Sequence, residues 1–227
     1  MRTVFVTVAI FALTLMTTYS QTNDESSKMG RQEINTLVGT GDVHHSGYGG
    51  VHLKIGSINK KSGMFVGGRG GWLVNGKFTL GFAGYGLVSG RDITYYDKDD
   101  QRIDTKINLG YGGMYLEYIH EPVDVIHLTG SVLCGFGGAL FDDIDWYHDH
   151  DYDYDNREKK PWAAYYVIEP TIGVELNVTK FMRIGVTASY RYMDDFESNQ
   201  LYDDSQQLRE SNMSGFNGGL YLVFGGF

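Results

Sequence analysis

From Trp162 to Tyr192 the chain alternates with a period of two. Trp162, Ala164, Tyr166, Ile168, Pro170, Ile172, Val174, Leu176 and Val178 hold one parity, and Glu169, Thr171, Gly173, Glu175 and Asn177 hold the other. Beyond the turn at Thr179-Lys180 the pattern resumes: Met182, Ile184, Val186, Ala188, Tyr190 and Tyr192 alternate with Arg183, Gly185, Thr187, Ser189 and Arg191. Strict alternation predicts two facing β-strands, each with one apolar and one polar face. Here the polar face carries charges and small residues, while the apolar face is broad and tipped with aromatics. A barrel built on that pattern is greasy outside and charged within, which suits a membrane rather than water.

Eight strand-like runs follow from the same reading, at about 48–58, 63–74, 77–89, 105–119, 123–141, 162–178, 181–193 and 213–227. Asn75-Gly76, His120-Glu121-Pro122 and Thr179-Lys180 make three short joins, and the first is a strong hairpin signal. The other connections are longer, at 59–62, 90–104, 142–161 and 194–212. Short turns at one end and long loops at the other are the transmembrane-barrel arrangement, with the short turns periplasmic. An even strand count puts both ends of the barrel on that side. The expected fold is therefore all-β: an eight-stranded antiparallel up-and-down transmembrane β-barrel in the outer membrane.

The weaker runs thread the same way. Val51, Leu53 and Ile55 face out against His52 and Lys54; Val66, Trp72 and Val74 face out against Arg69. Phe78, Leu80, Phe82 and Val88 oppose Lys77, Thr79 and Ser89. Met114, Leu116 and Tyr118 oppose Glu117, and Ile126, Leu128, Val132 and Phe136 oppose His127, Thr129 and Ser131. Trp162, Tyr190 and Tyr192 then cluster near the outer interface, and Trp72, Phe78 and Tyr118 near the inner one, as two aromatic girdles. Pro170 cannot donate to a ladder, so a local bulge-like defect without a net register flip is expected there.

The inward set is Lys54, Arg69, Glu117, Glu169, Glu175, Arg183 and Arg191, with His52 and His127. An eight-stranded barrel is just wide enough for side chains to fill it. Unpaired buried ions are costly, so the expectation is a salt-bridge network that plugs the lumen. Gly67, Gly71, Gly81, Gly135, Gly173 and Gly185 on the same runs are expected to make room for the long Arg and Lys side chains.

Met1-Arg2, the apolar stretch from Thr3 to Met16 and the small residues up to Ser20 fit a cleavable signal peptide over 1–20. The stretch is too short to span comfortably as a helix. Residues 21–46 read as a flexible periplasmic leader and 47–227 as the barrel. The formal net charge of -9 argues against nucleic acid as a partner. The mean hydropathy of -0.27 decides nothing, because barrels hide their membrane signal in alternation. A single cysteine, Cys134, excludes an intramolecular disulfide, and its place in a strand-like run suggests a small buried hydrophobe.

The loop 142–161 is acidic, and with 194–212 it makes the outward rim negative, a surface that could meet a partner. His148, His150, Asp151, Asp153 and Asp155 are candidate ligands for a divalent cation, the hard acidic oxygens for one class and the imidazoles for zinc or nickel. Asp151-Tyr-Asp153-Tyr-Asp155 imitates the start of a calcium loop. Asn156 replaces the expected glycine, however, and Trp162 stands where the bidentate glutamate belongs. No other cofactor is expected.

Catalysis is not expected. Ser131 and His127 share a run and a parity, with Glu117 on the preceding run, but four residues along a strand is about 13 Å. A nucleophile and its base must lie within hydrogen-bond reach. Two alternatives stand beside the structural reading: a soluble periplasmic lipocalin-like barrel, which needs an apolar interior, and an outer-membrane lipid-modifying enzyme.

The segment Gly215 to Phe227 is an apolar strand ending on phenylalanine, which resembles the terminal signal read by the outer-membrane barrel-assembly machinery; Phe227 would carry it. The chain from 48 to 227 resembles a family of small uncharacterised outer-membrane β-barrel proteins of Gram-negative bacteria. The likeness lies in Gly67-Gly-Arg-Gly-Gly-Trp72, Leu109-Gly-Tyr-Gly-Gly-Met-Tyr-Leu-Glu-Tyr118, Glu169-Pro170, Glu175 to Phe181 and Ala188-Ser-Tyr-Arg-Tyr192. It implies an outer-membrane location with lipid around the barrel, and it brings no catalytic or ligand residue.

Overall fold

The computed structural model describes residues 43–58, 61–89, 92–96, 102–143, 162–199 and 213–227. Among the described residues there are nine strands: β1 (His45–Ile58), β2 (Lys61–Val74), β3 (Phe78–Ser89), β4 (Asp92–Tyr96), β5 (Arg102–His120), β6 (Ile126–Asp143), β7 (Trp162–Thr179), β8 (Met182–Asn199) and β9 (Gly215–Gly225). Each main strand pairs antiparallel with its sequence neighbour, β1 pairs with β9, and β3 pairs with β5. The result is a closed barrel of eight strands, in which closure removes the exposed edges of an open sheet. β4 is the ninth piece. It continues the β3 wall beyond a short break and pairs with the first residues of β5, from Asp92↔Lys106 to Tyr96↔Arg102.

That strand corrects the reading of 90–104 as loop. Ile93-Thr-Tyr-Tyr96 is rich in β-formers, but the run is five residues long and isolated from β3 by Gly90-Arg91, so alternation alone did not reveal it.

The turns form as their chemistry dictates. Asn75 and Gly76 have φ of 51° and 68°, the two positive values that a primed two-residue hairpin needs. The Asn75 side chain then accepts the His44 backbone N–H at 2.7 Å. At Pro170 the ladder to β8 is interrupted, yet Ile168↔Tyr192 and Thr171↔Ser189 keep one register across it. The bulges lie elsewhere, between Ala164 and Tyr165 and between Asn177 and Thr179.

Face polarity follows the alternation. Ile55, Phe82, Ile172 and Phe216 stand outward at 64%, 69%, 71% and 76% exposure, whereas Lys54, Glu117, Glu169, Glu175 and Arg191 are buried inside. Burying ions while exposing aromatic and branched side chains reverses the order of a water-soluble protein. It is the order of a membrane barrel. Cys134 is also outward and exposed, paired across the wall with Met114 and Ile168, so it does not fill the interior as expected. Its parity with Phe136 fixes that direction.

The interior has two zones. At mid-height it is polar, and toward the turn end its polar groups stand beside buried Leu73, Ile119 and Val223. Toward the loop end it is apolar, filled by Ile58, Phe65, Leu87, Ile107, Leu109, Val167, Met193 and Met213. The weak contrast of the early runs has this cause: at the loop end both faces of the wall carry apolar side chains.

Candidate functional site

The charged side chains predicted to face inward do so, and the barrel brings them together in three groups. Near the turn end, Glu175 is the hub. His127 Nε2 lies 2.7 Å from its Oε2, Arg183 Nη1 donates to the same oxygen at 3.2 Å, and Tyr221 donates to Oε1 at 3.1 Å. β7 pairs with both β6 and β8, so Glu175 is opposite His127 on one side and close to Arg183 on the other. Beside this group Arg69 Nη1 stands 3.0 Å from Glu117 Oε1, and Tyr48 donates its hydroxyl to the same carboxylate while meeting Tyr115 at 2.7 Å. The Arg69 guanidinium also lies over the Tyr221 ring, 4.1 Å from its centroid. Such cation–aromatic contacts strengthen when both partners are desolvated.

At mid-height His52 links Tyr85 (3.1 Å) and Thr187 (3.2 Å) through its two ring nitrogens. Above it Glu169 receives Lys54 at 3.0 Å on both oxygens, Tyr111 at 3.0 Å, Ser189 at 2.5 Å and Asn217 at 3.2 Å. Arg191 has no carboxylate in contact among the described residues. It donates to Asn217 Oδ1 (3.1 Å), the Ser57 carbonyl (3.0 Å) and the Met213 carbonyl (3.0 Å from Nη2), and it lies over the Phe65 ring. Asn217 thereby relays between Arg191 and Glu169. These contacts span strands across the lumen, so the network acts as cross-bracing that fills the bore.

Sequence reasoning missed the tyrosines. Tyr48, Tyr85, Tyr111, Tyr115 and Tyr221 are all buried in the lumen and carry much of its hydrogen bonding. The signal was available: Tyr111 and Tyr115 share the parity of Glu117, and Tyr48 that of His52 and Lys54. The inward glycines serve these rings more than the Arg and Lys side chains. A Cβ at Gly185 would run into the Tyr221 ring, and one at Gly81 would lie 2.7 Å from a Tyr115 ring carbon.

His127 and Glu117, weighed from sequence for catalysis, are each engaged by other groups. His127 is held by Glu175 and by the Asp124 carbonyl at 3.1 Å, and Glu117 is engaged by Arg69 and Tyr48. The candidate ligands His148, His150, Asp151, Asp153 and Asp155 lie outside the described residues. Among the described residues no group of three or more metal-ligating side chains converges. Phe227 shares the parity of buried Tyr221 and Val223, not of outward Leu220 and Phe224. Its ring meets the Tyr48 ring at 5.7 Å and caps the Arg183 guanidinium at 4.0 Å. There it lines a turn-end vestibule of about 730 Å³ together with Pro122, Asn177 and Lys180.

No protein-family pattern and no curated protein matches the chain. Among solved structures it is similar to Neisserial surface protein A, at 10% identity and a TM-score of 0.49, over 81% of this chain and 99% of that one. It is similar also to Ail, the attachment invasion locus protein of Yersinia pestis, in complex with the heparin analogue sucrose octasulfate: 11% identity, a TM-score of 0.46, 80% of this chain and 97% of that one. A weaker likeness is to the outer-membrane protease OmpT of Escherichia coli, at 10% identity and a TM-score of 0.25, over 84% of this chain and 97% of that one.

Proposed function

We propose that the chain is an integral outer-membrane β-barrel with a side-chain-filled lumen, whose role is structural or interactive rather than catalytic. The observation that carries this reading is the inversion of faces. Phe82, Phe136, Ile172 and Phe216 stand exposed on the outer wall while Glu169, Glu175 and Arg191 are wholly enclosed. A water-soluble ligand-binding barrel of the lipocalin type would present those aromatic and branched residues to water. The filled lumen leaves the acidic segments that follow β6 and β8, 144–161 and 200–212, as the part of the chain that meets surface partners or cations.

Membrane fractionation followed by gel mobility, boiled against unboiled, tests the reading. The expected result is an outer-membrane protein whose unboiled form migrates as a compact barrel. Recovery in the soluble periplasm, with no mobility difference, would overturn it.

A further inference from the structure

The turn between β5 and β6 is tied to the barrel by side chains of the strands beside it. Asn177 Nδ2 donates to the Pro122 carbonyl at 2.9 Å and to the Asp124 carbonyl at 2.7 Å, and Arg183 Nη2 reaches the Pro122 carbonyl at 3.4 Å. His127 adds a tie of another kind. Its Nδ1 lies 3.1 Å from the Asp124 carbonyl oxygen, and its Nε2 lies 2.7 Å from Glu175 Oε2. No part of the imidazole reaches the surface.

Both ring nitrogens therefore face acceptors. A backbone carbonyl cannot donate. Glu175 accepts on both oxygens, from Arg183 Nη1 at 3.2 Å and from Tyr221 at 3.1 Å, as an ionised carboxylate does. A neutral imidazole has one N–H and one bare lone pair, so it would satisfy one of these contacts and oppose the other. Only the imidazolium donates to both. The remaining charges around the ring are matched or stand apart: Arg183 of β8 pairs with Glu175, and Arg69 of β2 pairs with Glu117 of β5 at 3.0 Å. Glu121 and Asp124, on the turn itself, are exposed.

We infer that His127 is a proton-dependent clamp on the β5–β6 turn, which supplies Pro122 and Val123 to the wall of the turn-end vestibule. With both nitrogens protonated, the ring bridges Glu175 on β7 to the Asp124 carbonyl. When one proton leaves, the remaining N–H stays with Glu175, because a hydrogen bond to a carboxylate is stronger than one to a neutral carbonyl. The Nδ1 lone pair then confronts the Asp124 oxygen, and that contact turns repulsive. The proton has a route to solvent, since Asn177 and Arg183, which hold the same turn, line the vestibule. The vestibule wall is thus firm in acid and loosens in alkali.

The test places a nitroxide at Val123, which is 90% exposed, as Val123→Cys in a Cys134→Ser background that removes the native cysteine. Spectra of the folded protein in detergent micelles are recorded from about pH 5 to about pH 9, across the range in which histidine changes charge. The expected result is a slow-moving label in acid that gains a fast component in alkali. His127→Gln should abolish that change, while His44→Gln at the vestibule and His120→Gln beside the turn should keep it. Ring-nitrogen NMR of the unaltered protein should show two N–H groups on His127 in acid and loss of the Nδ1 proton over the same interval. A label indifferent to pH, a change that survives His127→Gln, or a single ring N–H on His127 in acid overturns the clamp and leaves the outer-membrane reading untouched. Should His127→Gln fail to give the compact gel band, the ring-nitrogen spectra decide.

Discussion

Lys54 and Glu169 meet at 3.0 Å on strands that are not neighbours. β1 lies between β2 and β9, and β7 between β6 and β8, so the ion pair crosses the lumen as a strut. Removing one partner of a buried pair leaves an uncompensated charge and costs roughly 3–5 kcal/mol. Lys54→Met should lower stability by about that amount, read as the urea midpoint at which the compact unboiled gel band is lost. A Lys54→Met/Glu169→Gln double variant should recover much of it. The Gln oxygen still accepts from Tyr111, Ser189 or Asn217, and the charge imbalance is gone. A double variant no better than the single one would show that the strut is not what the pair contributes.

Outward Ile172 and Val186 report on the lipid face, at 71% and 55% exposure. An arginine near the bilayer midplane costs roughly 2–4 kcal/mol on that face. Ile172→Arg and Val186→Arg should therefore refold poorly into vesicles, while Val123→Arg, on an exposed turn, should refold normally. Thr187→Arg should fail for another reason, because Thr187 faces His52 inside the barrel. Equal tolerance of Ile172→Arg and Val123→Arg would contradict the assigned faces.

The alternation made Glu169, Glu175, Arg183 and Arg191 legible as lumen residues, because a charge on one parity of an otherwise apolar strand has one favourable side. It could not say which charges meet. Lys54 and Glu169 are joined by barrel closure, a relationship without a local sequence trace. Parity placed Tyr111 and Tyr115 inward just as firmly, but a tyrosine reads as apolar, and its hydroxyl acquires a role only when Glu169 and Glu117 come within reach. At the loop end Phe65, Ile107 and Leu109 are as apolar as the residues facing lipid, so the pattern loses contrast where the interior stops being polar. β4 escaped because five residues carry too few alternations to stand out.

Gly185 and Tyr221 give a sharper test of the interior packing. Because an added Cβ would occupy the position of the Tyr221 ring, Gly185→Ala should destabilise the barrel by about 1–3 kcal/mol through overpacking. In a Tyr221→Leu background the same substitution should cost less, since the smaller side chain leaves the space open. Residues in contact show coupling energies of about 0.5–3 kcal/mol in such cycles. Additive costs, measured by the same urea titrations, would mean that the ring is not what excludes the methyl.

A seal spread along the lumen should survive the loss of either end, and conductance tests it. Tyr221 and Phe227 crowd the turn end around Arg69 and Arg183, Phe65 and Met193 belong to the apolar cluster at the loop end, and Lys54, Glu169, Arg191 and Asn217 fill the bore between them. In planar bilayers the unaltered protein should give no stable unit steps. Tyr221→Ala/Phe227→Ala and Phe65→Ala/Met193→Ala should each remain silent. The four changes combined should stay silent too, because the network at mid-height persists, provided that the compact gel band shows the barrel still folded. Steps from either pair alone would mean that one end carries the whole seal and that the network is only bracing.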